Sequence, residues 1–537
     1  MSRWYLFGTV LWLSISLGLQ AQTYTDLYNC YTDTCNFSYP ALLAQGRNGN
    51  LYGTTSIGGT HNLGTVFTIT PSGTLATLYS FDTTTGANPS SGLTLGLDGS
   101  FYGTTEFGGT YHAGTIFKIT PEGTLTTLHS FAGDITDGAW PFTAPVQGDD
   151  GYLYGVTEVN RVAAGWTGIG YRISSTGAYK ILSSSLPGSP NPFWAPLIQA
   201  IDGNFYSTTY NGGVNNSGTI FRMSRTGAVK IIYNFDTTHG GWGYAPLVQD
   251  DAGYLYGTED QGGSLGGGVV FKVTIGGKLT VLHNFVHQDS TDGSSPVAGL
   301  VLASNGKFYG STYRGNPNNW GVLFSVTRTG AYTSLYNFDG THGGEVEATA
   351  MQHTNGKMYG LAQWGGPYYD GGVVYSFDVG LEPFVSMLTK SGKVGDVVQI
   401  LGQGFTRTSK VTFGVGAANY SVISDTFMTA IVPSSGTTGP VIVTTASGTL
   451  VSNRKFRVLP TISSFAPTSG PVGTKVTITG SGFIGATKVT FGGVKAISYT
   501  VDSGTQITAT VPTGAKKGNI AVTTPGGSAS KGTFTVI

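Results

Sequence analysis

The chain has 537 residues, of which 39% are apolar and only 10% charged, with 28 Lys and Arg against 28 Asp and Glu. Globular chains usually carry about 25% charged residues. A neutral, charge-poor surface excludes the excess of Lys and Arg that phosphate neutralisation needs, so neither nucleic acid nor an anionic membrane surface is an expected partner.

Residues 1–21 read as an export signal. Arg3 precedes the apolar run Trp4 to Leu19, and Leu19-Gln20-Ala21 offers a small-residue cleavage site before Gln22. The run is short for a membrane span, which needs about 20 apolar residues. No later segment is apolar enough to insert after cleavage. Cys30 and Cys35, the only two cysteines, would meet an oxidising compartment, which predicts a small disulfide loop. Two thiols alone cannot complete a tetrahedral zinc site.

From Leu51 onward one motif returns: LYGTT, FYGTT, LYGVT, FYSTT, LYGTE, FYGST and MYGLA. Its tyrosines are Tyr52, Tyr102, Tyr154, Tyr206, Tyr256, Tyr309 and Tyr359, at steps of 50, 52, 52, 50, 53 and 50. A period near 50 with no helical periodicity indicates a propeller. Each unit resolves into four strands, in the second copy 92–96, 101–106, 114–120 and 124–131. Within the third of these, Phe117 and Ile119 alternate with Ile116 and Lys118. The Gly after each Tyr, replaced only by Ser207, implies close approach of backbones, read here as crowding between blades near the axis.

Asn48-Gly49, Asp98-Gly99, Asp202-Gly203, Asn305-Gly306 and Asn355-Gly356 lie between strands one and two. Such pairs are strong hairpin signals, because both central residues need positive φ. These turns and those between strands three and four share one short-looped face. The loops after strands two and four fall on the other face, are longer, and vary in sequence, which is where rigid scaffolds carry function. The seventh unit lacks a fourth strand after 372–380. TYTDLYN (23–29) resembles the missing strand and is predicted to close the last blade, with the cysteine loop beside it.

Near Gly380 a second rhythm begins. Gly402-Gln-Gly-Phe405 matches Gly480-Ser-Gly-Phe483, and Val411-Thr-Phe-Gly414 matches Val489-Thr-Phe-Gly492, both 78 residues on. The expected domains are a signal peptide at 1–21, a propeller at 22–380 and two β-sandwiches at 381–458 and 459–537. The fold class is all-β: a seven-bladed β-propeller of four-stranded repeats followed by two immunoglobulin-like sandwiches.

Two resemblances rest on these residues. GTIFKITPEGTLTTLHSF with FYGTT resembles the GloVer-type tandem repeat of exported bacterial proteins. That resemblance implies export and often a separate surface-anchoring tail, but no agreed activity and no catalytic residue. Ile462-Ser-Ser-Phe-Ala-Pro-Thr-Ser-Gly-Pro471 with VGTKVTITGSGF is similar to the opening of the IPT/TIG domain. This family occurs as spacers in bacterial surface proteins and as DNA-binding modules in some transcription factors. The first copy, at Ser391-Gly392-Lys393-Val394, lacks that opening but keeps the later motifs.

Four residues past each repeat Tyr stand Ser56, Glu106, Glu158, Tyr210, Asp260, Tyr313 and Gln363. One reading gathers Glu106, Glu158 and Asp260 near the axis as a carboxylate cluster able to hold a cation or act as acid and base. The other scatters them on a solvated rim. Convergence within roughly 5–10 Å would fit glycosidase carboxylates. Trp140, Trp166, Trp194, Trp242, Trp320 and Trp364 lie in the same loops, with Tyr210, Tyr244 and Tyr313. Their rings either stack on sugars or pack between neighbouring loops. His61, His112, His239 and His342 share no offset that would make them metal ligands. Motifs for phosphate, zinc, calcium or a nucleophilic serine are absent, so no cofactor is expected.

The expected product is an exported, surface or secreted, non-enzymatic binding protein acting as a monomer. Its variable-loop face would hold a glycan or protein ligand through Glu106, Glu158, Tyr210, Asp260, Tyr313, Trp364, Trp140, Trp194 and Trp242, and the sandwiches would act as a spacer. The alternative is a polysaccharide hydrolase or lyase with carboxylates at the propeller mouth.

Overall fold

The computed structural model describes residues 22–30, 35–36, 42–162, 165–186, 195–243, 245–287, 291–366 and 371–537. The expected signal segment and Trp194 lie outside these residues. Among them the repeats form seven four-stranded antiparallel sheets. In the second, the strands are Thr94–Leu95, Phe101–Thr105, Thr115–Ile119 and Leu125–Ser130, paired in that order. The predicted alternation in the third strand does not separate a core face from a wet one. Ile116, Phe117 and Ile119 are all fully buried, because each sheet is covered on both faces, as strands buried on two sides require.

Seven apolar cores join consecutive sheets. Tyr52 packs with Phe101 and Phe117, Tyr102 with Leu153 and Tyr171, and Tyr154 with Phe205 and Phe221. Tyr206 joins Leu255 and Phe271, Tyr256 joins Phe308 and Phe324, and Tyr309 joins Met358 and Tyr375. The seventh core unites Tyr359, Leu361 and Val374 with Leu43, Leu51 and Phe67 of the first sheet. The ring is therefore closed, and the fold is a β-propeller.

The repeated Tyr serves two neighbours. Its ring stacks on the next blade, with centroids 4.1 Å apart for Tyr52–Phe101 and 4.0 Å for Tyr154–Phe205. Its hydroxyl fixes the Asx-Gly turn of its own blade. Tyr102 and Tyr154 donate to Asp98 and Asp150 at 2.7 Å, while Tyr52 and Tyr359 accept from Asn48 and Asn355. In the fifth blade the usual position is Ala252, and Asp250 accepts instead, at 3.1 Å.

The Gly after the Tyr is needed for a different reason from the one expected. It sits opposite the aromatic residue of the third strand in its own sheet, as in Gly103↔Phe117 and Gly257↔Phe271. The ring folds over the bare backbone, so an added Cβ would lie 2.5 and 2.7 Å from those rings. The crowding is within a blade. Two blades carry Tyr171 and Tyr375 in place of this Phe, and both hydroxyls are buried without a partner.

Thr23–Asn29 pairs antiparallel with Val373–Asp378, completing the last sheet as its outer strand. Tyr24 stacks on Tyr336 at 4.3 Å, and its hydroxyl donates to the His342 carbonyl at 2.6 Å. Cys30 is buried and disulfide-bonded, and Cys35 is the only other cysteine.

After Gly380, two units follow with the same plan, each a four-stranded sheet against a five-stranded one. The first is not a detached spacer. It docks on the short-turn face within a few residues of the last blade. Phe384 N–H donates to the Thr354 carbonyl, Gln403 to Thr354 Oγ1, and Thr426 Oγ1 to the Arg47 carbonyl. Arg47 lies over the Phe427 ring at 4.5 Å.

A glutamine relay prepares that face. Gln147, Gln199, Gln249, Gln352 and Gln45 each accept a backbone N–H from the preceding blade's turn, at 2.7–3.0 Å. The second blade has Leu95 at this position. There Gln399 of the sandwich takes over, accepting from Arg47 and donating to the Leu97 carbonyl, both at 2.7 Å.

Two outcomes follow for stability. Tyr24→Ala is expected to lower unfolding free energy by about 2–4 kcal/mol, as for a large core truncation at a half-buried site. Tyr171→Phe is expected to raise it by about 1 kcal/mol, because an orphaned hydroxyl is removed. Urea unfolding of the full chain followed by aromatic fluorescence reads both.

Candidate functional site

The face opposite the docked sandwich is built from two loop types. The loop after strand two is more uniform than its sequence implies. In Gly108–Gly114 the backbone turns through positive φ at Gly108, Gly109, His112 and Gly114, and Gly114 N–H closes on the Gly108 carbonyl at 3.1 Å. The same closure joins Gly64 to Gly58, Gly218 to Gly212, Gly268 to Gly262 and Gly321 to Gly315. Only the tip side chains differ, and some are apolar and exposed: Tyr111 at 61%, Val214 at 85% and Leu265 at 51%. The third blade departs from this, running on as a long hairpin, Leu153–Val162 with Gly165–Ile173. Trp166 falls in that hairpin, but its side chain lies outside the description.

The loop entering strand one carries the less expected feature. Asn88, Trp140, Trp242, Ser295 and Glu345 occupy equivalent positions and all have left-handed backbone, with φ of 59°, 45°, 61°, 54° and 49°. For a bulky residue this costs of order 1–3 kcal/mol and marks a place to look for function. Each loop is pinned on both sides. Trp140 N–H donates to the Ala113 carbonyl, and Ala139 bridges Glu158. The strained residue thus comes beside the position four past the repeat Tyr.

These loops sort the predicted carboxylates into two groups. Glu106 accepts from Asn88 Nδ2 at 3.3 Å, and burial raises its pKa. Glu158 Oε1 is buried without a partner. Burial first, and then the charge of Glu106, push the Glu158 carboxyl up to about 8. Asp260 does not join this pair. It is buried and raised by desolvation, and its charge acts on Glu347, which burial, Glu345 and Asp260 together lift to about 7. Behind Asp260, Glu259 is fully buried; burial, and then the charge of Asp260, raise its carboxyl strongly, against a backbone hydrogen bond from Gly243. It fits because Gly243 stands where other entering loops have Pro89, Pro141 and Pro296. An added Cβ on Gly243 would lie 2.5 Å from Glu259 Oε1.

Glu345 and Glu347 are missing from the sequence-based set. Aligning the seven residues before each strand-one Gln would have shown Trp140, Trp242 and Glu345 as one column. Glu345 accepts from the Tyr313 hydroxyl at 2.8 Å. Arg314 lies over the Tyr313 ring. Tyr210 is half-buried and engaged with a neighbour.

The aromatic residues divide as well. Trp320 takes the packing role: its indole covers Gly340 and Gly344, where an added Cβ would fall within 2.7 and 2.6 Å. Trp140, Trp242 and Trp364 are half-buried at the loop face, while Phe107, absent from the predicted set, is 42% exposed. His239 and His342 each bond an aspartate three residues earlier, Asp236 and Asp339, at 2.9 Å, which fixes their loops. His61 and His112 are exposed at loop tips.

The architecture is thus a propeller joined to immunoglobulin-like sandwiches, with its distinctive side chains on the long-loop face. The chain belongs to the Gloeobacter/Verrucomicrobia repeat family, which matches residues 7–167 and 146–375, and residues 460–536 match the IPT/TIG domain. Both sequence resemblances are borne out. No curated protein matches the chain.

Among solved structures it is similar to a fungal alcohol oxidase of the AA5 family in complex with copper, at 13% identity and a TM-score of 0.47, over 81% of this chain and 98% of that one. It is similar to the surface glycan-binding protein PbSGBP-B from Prevotella bryantii at 20% identity and 0.22, over 27% of this chain and 38% of that one. A puromycin hydrolase matches at 11% and 0.43, over 70% and 61%. At these scores no activity passes from them to this chain.

The mouth gives a pH test. The Glu158 carboxyl rises from an ordinary value of 4.5 to about 8 on folding. Between those values the folded chain holds more protons than the unfolded one, so its contribution to stability is complete below about 4.5 and is lost as pH climbs through about 8. Glu158→Gln should flatten the fall in melting temperature between pH 5 and 9 without abolishing it, since Glu106, Asp260 and Glu347 titrate in the same direction. An unchanged slope would show Glu158 to be solvated.

Proposed function

We propose that this is an exported surface or secreted binding protein whose long-loop propeller face holds a carbohydrate ligand. The observation that carries the reading is Trp140, held in left-handed backbone beside Glu158, whose buried Oε1 has no partner. An aromatic face next to a buried carboxyl group offers both a stacking surface and hydrogen-bonding oxygens. That combination suits a neutral sugar, whose rings are apolar on one face and ringed by hydroxyls. The export signal at 1–21, the charge-poor surface and the disulfide at Cys30 support a place outside the cytoplasm. Among the described residues no helix is long and apolar enough to cross a membrane.

The coupling of Glu106 to Glu158 favours a second reading, a polysaccharide hydrolase or lyase. One group would remain protonated near neutral pH as the acid, and its neighbour would serve as base or nucleophile. The absence of Asp260 from this pair removes the three-carboxylate cluster and leaves only that couple.

A glycan array followed by titration separates the readings. Binding without release of reducing ends or unsaturated products is expected. Trp140→Ala and Trp364→Ala should each weaken binding about tenfold, the loss of roughly 1.4 kcal/mol of stacking. Product formation abolished by Glu158→Gln would establish the enzyme, and an empty array with no products would remove carbohydrate as the ligand.

A further inference from the structure

The first sandwich does not seat flush against the propeller. A cleft of about 250 Å³ remains between it and the second, third and fourth blades, lined among others by Gln147, Asp149 and Gln199 from the propeller and by Lys390 and Arg457 from the sandwich. This site is on the opposite face from the mouth and is independent of the binding reading given above.

The charges in this cleft do not balance. The Lys390 amine makes no hydrogen bond or ion pair among the described residues and is exposed to the cleft. Arg457 Nη1 donates to the Ile201 carbonyl at 2.7 Å, but its Nε is buried without a partner. Arg454 stands close enough to add its charge. On the acidic side Asp149 is already held by Arg225 and by Gln199 Nε2. Asp202 is engaged by its own turn through Tyr206 and Asn204. Only Asp251 faces Lys390 and Arg454 without a bonded partner. With Asp149 paired to Arg225, the three cations Lys390, Arg454 and Arg457 face two carboxylates, Asp202 and Asp251, and the remaining positive charge in this partly desolvated space is unfavourable unless an anion enters.

We infer that the cleft between the propeller and the first sandwich binds a small tetrahedral oxyanion, sulfate or phosphate, through Lys390 and Arg457. A guanidinium and a nearby amine suit two oxygens of such an ion. The oxyanion has two chemical sources, the free ion or a sulfate or phosphate ester on a larger molecule.

The test uses the full mature chain. Sodium sulfate and sodium phosphate are titrated against sodium chloride at matched ionic strength, with melting temperature and calorimetry as readouts. A saturable rise with either oxyanion, and none with chloride, is expected. Lys390→Met removes no docking contact, so it should keep the fold and weaken oxyanion binding at least tenfold, while leaving any glycan binding at the mouth unchanged. Arg457→Met should do the same, but it also removes the bond to Ile201, so Lys390→Met is the deciding variant. A sulfated disaccharide compared with its unsulfated form distinguishes the sources: tighter binding than free sulfate assigns an ester, equal or weaker binding the free ion. No saturable effect beyond chloride, or equal affinity in wild type and Lys390→Met, would overturn the proposal.

Discussion

A four-stranded sheet whose inner strands are apolar on both faces cannot stand alone. Each blade here needs a neighbour on either side, and that need is met only if the array closes on itself. Closure depends on one backbone ladder, Thr23–Asn29 against Val373–Asp378, which joins segments about 350 residues apart. The entropic cost of so long a loop grows slowly, about 0.6 kcal/mol per doubling of length. An open ring would leave the seventh core, with Leu51, Phe67, Tyr359 and Val374, facing water and would expose a strand edge. The large favourable term therefore lies in the last apolar interface, and the ladder's main contribution is to place it.

Once the ring is shut, conserving geometry falls to a few polar contacts repeated around the ring, the Tyr contact in every blade and the Gln contact in five. The Tyr hydroxyl holds the hairpin turn of its own blade, and the Gln amide holds the turn of the preceding one. Because these contacts sit on strands one and two, the short-turn face becomes a flat, rigid platform. The first sandwich uses it as such. Gln399 enters where Leu95 breaks the relay, so the sandwich completes the propeller's own hydrogen-bond pattern and acts as part of its floor. The same seating leaves the uncompensated cations over the cleft.

The architecture was legible in the sequence because it is repeated. A period near 50, Asx-Gly turns and a missing last strand are local signals that recur, and recurrence separates them from chance. The role of the repeat Gly was misread because sequence spacing does not reveal which ring covers it. The answer depended on strand register, which sets Gly103 opposite Phe117. The loops were misjudged for a related reason: glycine and Asn or His at fixed points impose one backbone path on segments whose other residues vary. The carboxylates at Glu106, Glu158 and Asp260 share an offset, yet their grouping was decided by the entering loops, where a left-handed residue brings Asn88 to Glu106 and Trp140 beside Glu158. Nothing in a single chain's local pattern announces that backbone conformation at a Trp.

The distribution of unfavourable features then separates scaffold from site. On the platform face the turns of five blades have an amide taken by the Gln relay. On the long-loop face are two tryptophans in left-handed backbone, a buried Glu158 oxygen without a partner and a wholly buried Glu259 carboxyl. Glu259 replaces the Thr whose hydroxyl, in the first, second and fourth blades, bonds across to strand three. It therefore gives up that strand-to-strand bond, and only the Gly243 amide favours its charge. A repeat that had only to close a ring would keep the threonine and the proline at 243, as the first, second and sixth blades keep Thr55, Thr105 and Thr312, and as other entering loops keep Pro89, Pro141 and Pro296. Departures from a local rule without a structural gain tend to mark sites kept for another purpose. Here they cluster around the fifth blade and between the second and third, at the end of the propeller that the sandwich leaves open.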